Sequence, residues 1–193
     1  SLPEQAGRDA KRRRSQADAN SYALGGRKAG MQQQTDNGGL SVPNGRDLLT
    51  AAGFVVGVNA VGALPAVFVG SDTAWIDKPA FFPPELAFPV VWTLLFTLLG
   101  VALYRVWQTP DGPARSRALA LFAGQFAVNL VWTPVFFGLR APVAGLVIIA
   151  VLWVAILATI RAFDHVDRPA AALLLPYLAW VSFATVLNAA IAF

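Results

Sequence analysis

"GLVIIAVLWVAILATI", Gly145–Ile160, decides the fold. The stretch carries no charge, and Thr159 is its only hydroxyl. A helix that is apolar all round must be buried in protein or in lipid. Extended to Pro142–Phe163, the segment reaches the length of about 20 residues that crosses a bilayer as a helix. A soluble bundle would have to cover this helix on every side, yet the neighbouring apolar stretches are nearly as greasy and need cover themselves. Four of them accompany it: Leu48–Val69, Leu86–Trp107, Ala118–Leu139 and Ala170–Phe193. Between them lie turn and charge signals: "GSDTAWIDKPAFFPPE", "QTPDGPARSR", "RAP" and "DHVDRP". Short connections make neighbouring helices antiparallel. Residues 48–193 therefore predict an all-α integral membrane protein, a bundle of five transmembrane helices.

Composition agrees. The chain is 56% hydrophobic and only 13% charged, against about 25% charged in soluble domains. There are no cysteines, which excludes disulfides and thiolate metal sites. The net charge of +4 does not point to nucleic acid, because the basic residues sit in the amino-terminal tail or at the ends of apolar segments. Residues 1–47 are polar and rich in Gly, Gln and Asn, without apolar periodicity. They are expected to be a disordered basic tail. Met31 is the only methionine, so residues 1–30 read as an upstream extension. Lys and Arg also give an orientation. The tail, the second loop and the fourth loop share one side and, with their flanks, hold thirteen of the fifteen, leaving Lys78 and Arg140 on the other. The amino terminus is expected to be cytoplasmic.

The polar residues within the spans carry the functional signal, because unpaired polar groups are costly in a bilayer and face other helices or a cavity. Gln125, Asn129 and Trp132 recur at helical spacing on one face of the third span, and Phe136 continues the stripe. Pro134 removes a backbone hydrogen bond beside that face and predicts a kink. In the fifth span Pro176, Trp180, Ala184 and Asn188 are spaced by four, with Tyr177 just off the stripe. The second span offers Trp92, Thr93 and Phe96. In the first, Gly53, Gly57 and Gly62 accompany Asn59 and Pro65, and the Gly53/Gly57 spacing permits close helix approach within the chain or in a dimer. Trp75 and Trp107 sit where interface anchors are expected. Trp153 has no polar neighbour in its own span and reads as packing or lipid contact. Converging indoles and amides describe a pocket for a flat, largely apolar ligand. The catalytic inventory is thin: one histidine, His165, in an acidic loop, no carboxylate in the middle of a span, and no metal-ligand spacing.

"KPAFFPPELAFPVVWTLLF", "QFAVNLVWTPVFF" and "LPYLAWVSFATVLN", in this order and one per span, resemble the TspO family of tryptophan-rich sensory proteins, relatives of the mitochondrial translocator protein (peripheral benzodiazepine receptor). The resemblance implies a five-helix membrane bundle, often a homodimer, that binds porphyrin or haem with no required cofactor or metal and no nucleic acid. It implies a ligand-binding set of Trp92, Phe96, Gln125, Asn129, Trp132, Phe136, Tyr177, Trp180, Asn188 and Lys78. Lys78, Pro79, Pro83 and Pro84 would belong to a loop that covers the pocket, with Lys78 as partner for a ligand carboxylate. A carrier, receptor or sensor is the leading expectation. One alternative is light- and oxygen-dependent porphyrin breakdown using Trp92 and Trp180. The other is a structural dimer, seamed by Gly53, Gly57 and Gly62, whose pocket holds membrane lipid. The chain departs from the family pattern in three places. Asp72 and Thr73 stand where a Trp-Tyr pair is usual, Phe96 replaces a tyrosine, and the sterol-recognition tail of animal members is expected to be absent.

Overall fold

The computed structural model describes residues 44–70 and 72–193. The basic cluster and Met31 lie outside the described residues. Five helical spans are long and apolar enough to cross a membrane, so this is a multi-pass membrane protein. The helices are α1 (Gly45–Val69), α2 (Ala87–Trp107), α3 (Pro113–Thr133), α4 (Pro142–Asp164), α5 (Arg168–Leu173) and α6 (Leu175–Ala192). The last two form the fifth span, interrupted at Leu174.

Local chemistry sets the boundaries. Asn44 caps α1, its Oδ1 accepting from the Asp47 amide at 3.0 Å, so the helix begins before the apolar run does. Each of α3, α4, α5 and α6 has a proline in its first turn, where the missing N–H would have lacked a partner anyway. For α3 this start lies at Pro113, upstream of the expected Ala118, and brings Arg115 into the first turn. Its guanidinium pairs with Asp111 and lies over the Trp107 ring, 4.8 Å from the centroid. Pro176 does not kink the middle of a helix. It starts α6, and the break falls at Leu174.

The buried positions of α3 are Ala118, Phe122, Gln125 and Asn129, and those of α4 are Gly145, Ile149, Leu152, Ile156, Thr159 and Phe163. Both follow the three-four alternation of a helix seam. They close the core with Leu99, Ala102 and Val106 of α2 and Leu174, Tyr177 and Val181 of the fifth span. Arg105 clamps one end, donating to both oxygens of Asp167 at 2.7 and 3.1 Å. Helix α1 is more peripheral, with Val58 its only buried residue. It is seated on α2 through Gly100, where an added Cβ would lie 2.6 Å from the Val55 Cα. Asn59 Nδ2 donates to Thr97 Oγ1 at 3.2 Å. Gly62 meets the Phe96 ring.

Gly53 and Gly57 pack against nothing among the described residues: an added Cβ at either would meet nothing within 4 Å there. Of the three glycines expected to act together, only Gly62 packs internally.

Candidate functional site

Near the first loop, α1, α2 and α3 enclose a cavity of about 310 Å³, at the lower end of small-molecule sites. Asn59, Gly62, Ala63 and Ala66 of α1 form one wall; Phe88, Pro89, Trp92, Thr93 and Phe96 of α2 form the second; Asn129, Trp132, Thr133 and the following Phe137 form the third. Thr73 and Glu85 close the mouth. Two indoles, two carboxamides and three hydroxyls thus share a small apolar space. Of the ligand-binding residues expected from sequence, Trp92, Phe96, Asn129 and Trp132 line it. The contribution of α1 was legible only as isolated glycines and Asn59, because nothing in the sequence says which helix they oppose.

Of the remaining expected residues, Gln125, Tyr177 and Asn188 form the layer behind this wall. Tyr177 is fully buried and Gln125 is 1% exposed. The Tyr177 hydroxyl accepts from Asn129 Nδ2 at 2.9 Å and donates to Gln125 Oε1 at 3.1 Å. Its ring stands edge-on to Trp92, with 6.2 Å between centroids. Trp132 donates to Asn188 Oδ1 at 3.3 Å, and Asn188 Nδ2 donates to the Pro142 carbonyl at 2.8 Å. These bonds fix the two α3 wall residues from α6, which is the physical role of the amides. Trp180 is not on the cavity wall. Its ring meets Phe88, which is, at 6.1 Å, and its indole nitrogen is buried without a partner among the described residues. Trp153 was expected to lack a polar neighbour, yet it donates to Ser182 Oγ on α6 at 2.8 Å. That partner is invisible within its own span.

The predicted kink at Pro134 is a π turn, Pro134–Gly138, closed by the Leu139 amide on the Pro134 carbonyl at 2.9 Å. The wider turn brings both Phe136 and Phe137 onto Trp132, one stacked at 4.9 Å and the other edge-on at 5.8 Å. Phe136 and Asn188 line a narrow crevice of about 20 Å³ that shares Phe88, Trp132 and Phe137 with the main cavity.

The first loop is latched across the mouth. Glu85 Oε1 accepts from Thr73 Oγ1 at 2.7 Å and from Lys78 Nζ at 2.8 Å. The Lys78 ammonium also lies 5.3 Å from the Phe82 ring centroid. Trp75 hangs from the Asp72 carbonyl at 2.9 Å and leans on Phe136 at 5.6 Å. Lys78 itself is not on the cavity wall; it is held by Glu85. These bonds from Lys78 and Thr73 keep the Glu85 carboxyl below its usual range. A carboxylate with a depressed folded-state pKa stabilises the latched loop at neutral pH and loses that contribution as pH falls through its own value. Acidification is therefore expected to lower the amide protection factors of residues 73–78, each rate being taken against the intrinsic exchange rate at that pH, while Glu85→Gln shows low protection at every pH; mass spectrometry of the loop peptide reads both.

A wider depression, about 520 Å³, lies at the α4–α5 turn beside Arg161, Asp164, His165 and Arg168. It is open surface, its charges partly paired by Asp164 and Arg168 at 3.4 Å. Among the described residues no cluster of His, Cys, Asp and Glu is placed to hold a metal.

The residues that build this tryptophan-lined cavity fall within a match to the family model described as the TspO/MBR family, which covers residues 54–193. The chain belongs to the TspO/MBR family. The TspO/MBR relatives include the tryptophan-rich protein TspO of Chlorobaculum tepidum, 41% identical over 74% of this chain and 94% of that protein. Protein CrtK of Rhodobacter capsulatus is 36% identical over 70% of this chain and 86% of its own. The translocator protein of Bos taurus is 35% identical over 72% and 85% respectively. All of the TspO/MBR match falls on the membrane bundle.

Proposed function

We propose that this TspO/MBR protein binds a tetrapyrrole of the porphyrin or haem class between α1, α2 and α3, and acts as a membrane carrier, receptor or sensor. The observation that supports this reading is the cavity wall: the Trp92 and Trp132 indoles beside the Asn59 and Asn129 amides. A macrocycle offers an apolar face to the rings and a polar edge to the amides. Phe88, Trp132 and Phe137 separate the main cavity from the crevice at Asn188; rotating these rings would join the two spaces and accommodate a broad disc. A homodimer through the outward Gly53 and Gly57 face, and a cytoplasmic amino terminus, belong to the same reading.

Titrating protoporphyrin IX while following tryptophan quenching tests it. Trp92→Ala and Trp132→Ala are each expected to weaken binding about tenfold, the scale of one buried aromatic contact. Trp180→Phe, off the wall, should change affinity far less. Wild-type affinity in both wall variants would overturn the assignment.

A further inference from the structure

The charges at the mouth of the cavity do not suit ionised acid groups on a ligand of the class just proposed. Glu85 is the only ionisable side chain on the cavity wall among the described residues. The two cations on this side of the bundle, Lys78 and Arg140, are both engaged by carboxylates: Lys78 by Glu85 at 2.8 Å and Arg140 by Asp72 at 3.7 Å. Asp77 adds a further exposed acid to the same loop. An incoming carboxylate thus meets negative charge at the mouth and no unpaired cation there among the described residues. Like charges brought together repel, and at an exposed mouth this repulsion is modest and screened by salt. A ligand without ionised acids meets no such obstacle. It finds the Asn59 and Asn129 amides, the threonine hydroxyls and the rings, none of which carries charge.

We propose that Glu85 is a specificity-determining residue: it holds Lys78 away from ligand carboxylates, and so biases the cavity toward tetrapyrroles and similar flat ligands whose acid groups are masked or absent. The bias rests on the tetrapyrrole reading and acts by exchange. For a ligand carboxylate to reach Lys78, the Lys78–Glu85 bond must open, and Glu85 must then sit next to a second anion. Both side chains are substantially exposed, at 39% and 69%, so the exchange is feasible and its free-energy difference modest. Thr73, the other partner of Glu85, ties the same choice to the position of the loop.

The test pairs a diacid with its neutral twin. Protoporphyrin IX and its dimethyl ester are titrated at neutral pH and low ionic strength against wild type, Glu85→Gln and Lys78→Met/Glu85→Gln, all in nanodiscs of zwitterionic lipid. In Glu85→Gln the diacid is expected to bind about fivefold tighter, the scale of one exposed ion pair released plus one repulsion removed, with the gain shrinking as salt is added. The ester should stay within about twofold of its wild-type affinity, a margin below that of one such pair. Removing Lys78 as well should erase most of the diacid gain. Unchanged diacid affinity in Glu85→Gln, or an equal change for diacid and ester, overturns this inference and leaves the tetrapyrrole reading standing. If wild type binds neither compound, the tetrapyrrole reading fails and the specificity role falls with it.

Discussion

Gly100→Val is expected to destabilise the bundle by about 3 kcal/mol, the upper range for forcing extra volume into a packed contact. The reason is that the neighbour is backbone. An added Cβ would lie 2.6 Å from the Val55 Cα and 3.0 Å from its nitrogen; a side chain can rotate away, whereas here α1 must move bodily. Because α1 supplies one wall of the cavity, the same variant should lose ligand binding along with stability. Unfolding in mixed micelles with increasing SDS measures the first effect, and fluorescence titration the second. Gly124→Val, in the middle of α3 and outside the proposed dimer face, is the control. Its Cβ meets nothing within 4 Å, so its effect should stay within about 0.5 kcal/mol, as for a substitution away from any packed feature. Equal losses in the two variants would show that helix propensity, not the close approach, governs both.

Tyr177→Ala is expected to cost about 3–5 kcal/mol, as for removing a large buried aromatic. The ring is fully enclosed and touches Trp92, while its hydroxyl joins Asn129 to Gln125. Tyr177→Phe separates these roles. It keeps the ring and removes only the hydroxyl, leaving Asn129 Nδ2 and Gln125 Oε1 without that partner. Interhelical hydrogen bonds in membranes average about 0.6 kcal/mol and reach about 1.7, so the phenylalanine variant should fall in that range on the same SDS titration. It should also loosen Asn129 on the cavity wall and weaken porphyrin binding by a few-fold. If the phenylalanine variant is as unstable as the alanine variant, the polar cluster outweighs packing in holding α3 to α6.

The five spans were legible because length and apolarity alone report them: a bilayer accepts about 20 greasy residues. The Gln125–Asn129–Trp132 face was legible too, because the period of one helix is local information. Which helix that face meets is not local. Gln125 was expected on the pocket and instead supports Tyr177 from behind; Trp180 was expected beside the ligand and instead stands against Phe88. Trp153 found Ser182 on another span. Gly100 looks like any glycine in an apolar run, and only the crossing of α1 over α2 gives it a task. The start of α3 was misplaced by hydropathy, because Arg115 and Arg117 look like loop residues, although Pro113 marks the first turn. Pro134 signalled an irregularity correctly, but proline alone does not distinguish a kink from a π turn.

The π turn at Pro134–Gly138 also constrains how this chain can change length. Each residue of an α-helix advances the chain by about 100°. Deleting one residue here would restore a regular helix and swing Phe136 and Phe137 off Trp132. It would also redirect Arg140, which already turns the corner to α4 at φ 49°. Drift in sequence is tolerable at this bend, whereas drift in residue count is not, so a single-codon deletion should be more damaging here than most exchanges of one side chain for another.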